Sequence, residues 1–110
     1  MSERARRIAE NEVLFRTVNE RIDDLNERFL ETSDAVQIVC ECGRSDCVDR
    51  IDLDVDAYRR LREDPFRFAV RRGHEYPASE TVVDEADGYF VVEKKPGEPR
   101  DAVEDADPAL

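Results

Sequence analysis

The sequence predicts an α+β fold: a long amino-terminal helix, then a small antiparallel sheet carrying a short second helix, with two distant loops stapled together. Three observations predict it. No proline or glycine occurs from Ser2 to about Leu30, and apolar residues recur there at helical spacing. Short runs rich in valine, isoleucine and aromatic residues follow, each bounded by turn residues. All three cysteines of the 110-residue chain sit within one turn, Cys40 to Cys47, and the single histidine, His74, lies in a second glycine- and proline-flanked loop.

In the amino-terminal stretch Ile8, Phe15, Ile22 and Phe29 fall at one position of a seven-residue repeat, with Asn11, Val18 and Leu25 at the other. This is the pattern of a coiled-coil-like seam, with Asn11 as a polar register point. The stripe either docks on the protein's own sheet or pairs with a second helix, from another copy or from a partner protein. The flanking positions Leu14, Asn19, Arg21, Asn26 and Arg28 carry no opposite-charge pairing code that would separate these. Intramolecular docking with self-association is the reading adopted.

Glu31 to Asp34 break the helix, and Val36 to Cys40 read as a strand entering the cysteine turn. Val48, Ile51 and Leu53 are spaced for a returning strand, so the turn closes a hairpin. Asp54 is placed to cap a short helix with Asp56 in its first turn, where the helix dipole favours an acid, and Tyr58 and Leu61 as its apolar face before Pro65. Phe66, Phe68 and Val70 alternate with Arg67, Ala69 and Arg71, the period of a half-buried strand. Glu80 to Asp84 and Gly88 to Lys94 flank a turn and form the strongest hairpin signal in the chain. The resulting division is an amphipathic helix at 1–32, a small α+β domain at 35–95 and a disordered acidic tail at 96–110, the last because the segment is alanine-rich and poor in large apolar residues.

Cys40, Cys42, Cys47 and His74 are the chain's whole supply of soft metal ligands. A Cys₃His set is a tetrahedral structural zinc site, needing four ligands brought together at little conformational cost. Gly43 supplies the positive φ that lets the chain turn back toward Cys47. The spacing Cys-x-Cys-x₄-Cys with a remote histidine matches no standard zinc module. Against zinc stand buried cysteines that pack merely as small hydrophobes, and a histidine that is merely solvated. Three cysteines within eight residues beside Glu41, Asp46 and Asp49 are a poor core, and an odd count without a secretion signal argues against a disulfide framework. If His74 is not a ligand, a carboxylate such as Asp46 or a water completes the shell. Whether the ion is zinc or iron is not encoded in the ligand types.

The net charge of −11 argues against nucleic acid as a partner, although Arg67, Arg71 and Arg72 make a small basic group. No apolar run approaches a membrane span and no secretory leader is recognisable, so the expectation is a cytoplasmic protein. No serine–histidine or cysteine–histidine catalytic set remains once the ligands are used, and there is no glycine-rich phosphate loop and no internal repeat. The expected function is therefore non-enzymatic: zinc as a structural Cys₃His staple in a protein-interaction or regulatory protein. Two alternatives keep the metal. One is a thiolate redox sensor, with Arg44 and Arg50 maintaining thiolate character. The other is a metal-dependent hydrolase, which requires His74 to be free so that a coordination position stays open.

The run Cys40-Glu41-Cys42 with Cys47, then Tyr58, Asp64-Pro65 leading to Phe68, Gly73-His74-Glu75, and Gly88-Tyr89 with Val91-Val92-Glu93-Lys94 resembles a group of small bacterial proteins found mainly in high-GC actinobacterial genomes. Ala9-Glu10-Asn11-Glu12 and Phe15-Arg16 with Val18-Asn19-Glu20-Arg21-Ile22 are similar to that group as well. The resemblance covers most of the chain except the acidic tail. It implies a cytoplasmic bacterial origin and no particular activity.

A structural metal suits a core of this size. Roughly 60 residues of mixed α and β structure bury barely enough apolar surface to fold alone. A structural zinc supplies on the order of 10 to 16 kcal/mol of apparent binding free energy, comparable to the roughly 5 to 15 kcal/mol total stability of a domain.

Overall fold

Helix α1 runs Glu3–Phe29 and is followed by strands β1 (Ala35–Val39) and β2 (Arg50–Asp54), helix α2 (Val55–Arg62), strands β3 (Arg67–Arg71), β4 (Glu80–Ala86) and β5 (Tyr89–Lys94), and helix α3 (Glu98–Ala106). The computed structural model describes residues 3–29 and 35–107. The segment assigned as the helix break, Glu31 to Asp34, lies outside them.

The strands form two small antiparallel sheets instead of one: β1 pairs with β2, and a three-stranded sheet has the order β3-β5-β4. The first hairpin has Val36 opposite Leu53 and Ile38 opposite Ile51, all four buried, so its inward face is the apolar one that the alternation predicts. A backbone bond from the Glu41 amide to the Ala69 carbonyl, 2.8 Å, joins the end of this hairpin to β3. In the second sheet Phe68, Ala69, Val70 and Val92 are wholly buried. Strand β4 is an edge strand with a register shift between Val82 and Asp84, and Val82 and Val83 are both exposed. A bulge of this kind blunts an otherwise sticky edge. Helix α2 starts after Asp54 as expected, but the Asp54 side chain makes no capping hydrogen bond.

Helix α1 docks within the molecule, on a face rotated from the apolar seam. Among its described side chains the buried ones are Ala9, Glu12, Val13, Arg16 and Asn19, a helical stripe in which three of these five are polar or charged. Leu14 and Val18, one of them a seam residue, point outward at 56% and 40% exposure. Apolar periodicity missed this face because its polar members are matched inside. Arg16 donates to the Pro65 carbonyl, pairs with Asp107 and lies over the Phe68 ring, 5.1 Å from its centroid. Asn11, the expected register point, donates to the Gly43 carbonyl at 3.0 Å instead.

The tail corrects the expectation of disorder. Glu98 to Ala106 form α3, which begins after Gly97 at a φ of 94° with proline in its first turn, and buries Ala102 and Val103. The side chains that pack here are small, which suits close helix–helix approach and explains why a composition poor in large apolar residues still docks. Arg100 ties the helix back, donating to the Lys94 carbonyl at 2.9 Å and lying 5.1 Å from the Phe66 centroid. One core cluster draws Ala9 and Val13 from α1, Ala102 and Val103 from α3, and the inward residues of both sheets. The three sequence segments are thus parts of one packed body.

Candidate metal centre

Cys40 sits just past β1, where its amide donates to the Asp49 carbonyl at 2.8 Å and so extends the hairpin by one rung. Gly43 then turns the chain at a φ of 79°. A Cβ at this position would lie 2.9 Å from both the carbonyl oxygen and the Cγ2 of Ile8, so glycine is required by contact with α1 as well as by conformation. The Cys47 amide donates to the Arg44 carbonyl at 3.2 Å, closing the turn. Far along the chain, the His74 amide donates to the Arg71 carbonyl at 3.0 Å, and Gly73, at a φ of 89°, swings the imidazole back toward β1.

These turns bring the sulfurs of Cys40, Cys42 and Cys47 and a ring nitrogen of His74 within 4.8 Å of one another, with the cysteines buried and the histidine half-buried. His74 Nδ1 lies 3.7 Å from Cys40 Sγ and 3.6 Å from Cys47 Sγ. A tetrahedral ion with sulfur at about 2.3 Å and nitrogen at about 2.0 to 2.1 Å holds those atoms about 3.6 Å apart. The cluster is thus spaced for a metal ion. The other ring nitrogen, Nε2, faces Asp49 Oδ2 at 3.5 Å, the kind of carboxylate partner that orients a ligating imidazole. Asp46, considered as a substitute ligand, is not one of the gathered groups.

The sulfurs take hydrogen bonds from one another and from the backbone. The Arg71 amide donates to Cys40 Sγ at 3.2 Å, and backbone hydrogen bonds at Arg44 and Asp49 act on Cys42 and Cys47. Three sulfurs this close cannot all ionise unless a cation lies among them. Cys42 is brought down to about 5, chiefly by the hydrogen bond from Cys40, while that same bond and burial push Cys40 far up, and burial raises Cys47.

Glu41 is the surprise in the motif. Flanked by Cys40 and Cys42, it turns the other way and is wholly buried. It accepts from Arg62 at 2.6 Å, Asn19 at 2.7 Å and the Ala69 amide at 3.0 Å, tying α2, α1 and β3 to the cysteine turn. A second buried group lies alongside: Lys94 Nζ is 2.8 Å from Glu12 and 3.0 Å from Glu80. Neither group was foreseen from the sequence, where Asn11 alone is read as a polar interruption and Asn19 as a flanking position without a pairing code.

No protein-family model, curated protein or solved structure matches the chain. Among the described residues, no helix is long and apolar enough to cross a membrane.

Proposed function

We propose that the protein is a small non-catalytic zinc protein in which Cys40, Cys42, Cys47 and His74 hold one structural Zn²⁺, and that it works by contacting another protein or a second copy of itself. The convergence of four ligand atoms from two remote loops within 4.8 Å carries this reading. With all four positions filled by protein, no coordination site is left to activate water, which disfavours a hydrolase. The burial of the sulfurs favours a structural ion over a redox sensor, because oxidants need access to thiolates. Zinc is favoured over iron because imidazole and thiolate together at a closed tetrahedral site are its usual environment. A cytoplasmic, bacterial setting fits free thiolates of this kind. The outward stripe of α1 at Leu14 and Val18 supports a protein contact, since α1's opposite face is already used for docking. Native mass spectrometry of the purified protein tests the whole reading: one zinc per chain supports it, and a metal-free or iron-containing chain overturns it. A Leu14→Glu, Val18→Glu variant that keeps its zinc but loses its partner or self-association supports the contact surface.

A further inference from the structure

Two concavities meet under the amino-terminal half of α1, the second of them bordered by the cysteine turn at Gly43 to Asp46. The first, about 420 Å³, is walled by Ala5, Ala9, Ala78, Pro99 and Ala102, has Glu98 as an acidic wall residue, and reaches Lys94. Its alanines leave the space: side chains from three elements stop short of meeting, and the volume is in the range of small-molecule sites. The second, about 390 Å³, shares Arg4, Ile8 and Tyr76 with the first and is bounded by Arg7 and Arg44, with Asp46 as its one acidic wall residue. In a chain of net charge −11, three arginines line one opening. Among the described residues Arg4, Arg7 and Arg44 are in no ion pair, as are Arg50, Arg60, Arg71 and Arg72 elsewhere, and what sets the first three apart is that they line one hollow. Unmatched cations around a hollow in an acidic protein focus a positive potential where an anion can be held.

The deep end of the first chamber adds a second observation. Lys94 is buried there between Glu12 and Glu80, and Glu12 Oε2 is buried with no hydrogen-bond partner among the described residues. Lys94 is thus already neutralised by its own carboxylates, so an anion entering this space is drawn to the arginines at the opening and not to the lysine.

We infer that this double concavity binds a small amphipathic carboxylate, with its headgroup among Arg4, Arg7 and Arg44 and its hydrocarbon body in the alanine-walled chamber. Guanidinium forks favour carboxylate geometry, and the chamber offers burial to a short aliphatic or aryl tail. The site does not depend on the identity of the metal, only on the folded cysteine turn that presents Arg44.

The test is calorimetric titration of the metal-loaded full chain with octanoate and, separately, with octylammonium, which has the same tail and the opposite charge. The expected result is saturable one-to-one binding of octanoate, with octylammonium weaker by about tenfold or more. Arg7→Glu with Arg44→Glu, both on the surface, reduces octanoate binding by about tenfold or more, and Ala78→Phe, filling the chamber from its rim, reduces it without changing headgroup selectivity. Should a variant melt early, methyl NMR shifts of Ala5, Ala9 and Ala78 in the unmodified protein on adding octanoate give the same answer. Equal binding of the two ligands, no saturable octanoate binding up to about 5 mM, or shifts confined to other methyls overturns the proposal.

Discussion

Asn19 in α1 pairs with Val39 as a strand residue would: its Oδ1 accepts from the Val39 amide and its Nδ2 donates to the Val39 carbonyl, both at 2.8 Å. A helix side chain therefore completes the edge of β1 one residue before Cys40. Asn19→Leu removes both bonds and the one to Glu41, leaving the half-buried Val39 amide and carbonyl without this partner and the buried Glu41 with two of its three donors. The expected cost is about 2 to 4 kcal/mol in denaturant unfolding, with a weaker hold on the metal in a chelator competition.

Glu41 is expected to be less replaceable than its surface-like neighbours in sequence suggest. Glu41→Leu strands the Arg62 guanidinium in a nearly dry site and frees the Ala69 amide, at a cost of about 3 to 5 kcal/mol. Glu41→Leu combined with Arg62→Met should recover much of that loss, because the buried charge is then removed with its partner. Chemical unfolding of the single and double variants checks this.

Gly43→Ala should cost more than Gly88→Ala. Both glycines have positive φ, at 79° and 83°, but a Cβ meets the Ile8 backbone at 2.9 Å only at position 43, while position 88 is open. The conformational cost of about 1 kcal/mol is common to both. The additional clash forces α1 away from the cysteine turn, so the Gly43 variant should also shift α1 amide signals in an NMR spectrum, and the Gly88 variant should not.

Stability should fall as pH rises from about 4.5 to about 8 through one group in particular. Burial, partly offset by Lys94, lifts Glu12 from 4.5 to about 8. The folded state therefore binds a proton that the unfolded state has released across this window, and its stabilising effect is full below the lower value and gone above the upper one. Glu12→Gln, measured alongside the unmodified protein from pH 6 to pH 8.5, should flatten the decline. The difference between the two proteins isolates Glu12 from metal-ligand protonation, which acts in the opposite direction in acid. Equal slopes would contradict the assignment.

The elements legible in the sequence were those set by local chemistry. The first hairpin follows from alternation at Val36, Ile38, Ile51 and Leu53, and the cysteine turn from Gly43. The clustering of Cys40, Cys42, Cys47 and His74 was legible for a different reason: the chain offers three cysteines and one histidine, and nothing else of that kind. The docked face of α1 was not, because Glu12, Arg16 and Asn19 are buried by partners supplied from Lys94, Asp107 and Glu41, and no local pattern announces such pairing. Helix α3 escaped notice because its contact is made by Ala102 and Val103, side chains too small to weigh in a composition. The concave face under α1 has no sequence signature, since it is defined by what alanines fail to fill.

X-ray absorption at the metal edge of the purified protein tests the centre most directly. Three sulfur scatterers at about 2.3 Å and one nitrogen at about 2.0 to 2.1 Å are expected around zinc, with the nitrogen lost or replaced in His74→Ala. A shell with any other sulfur count, or one that His74→Ala leaves unchanged, would contradict the four-ligand centre.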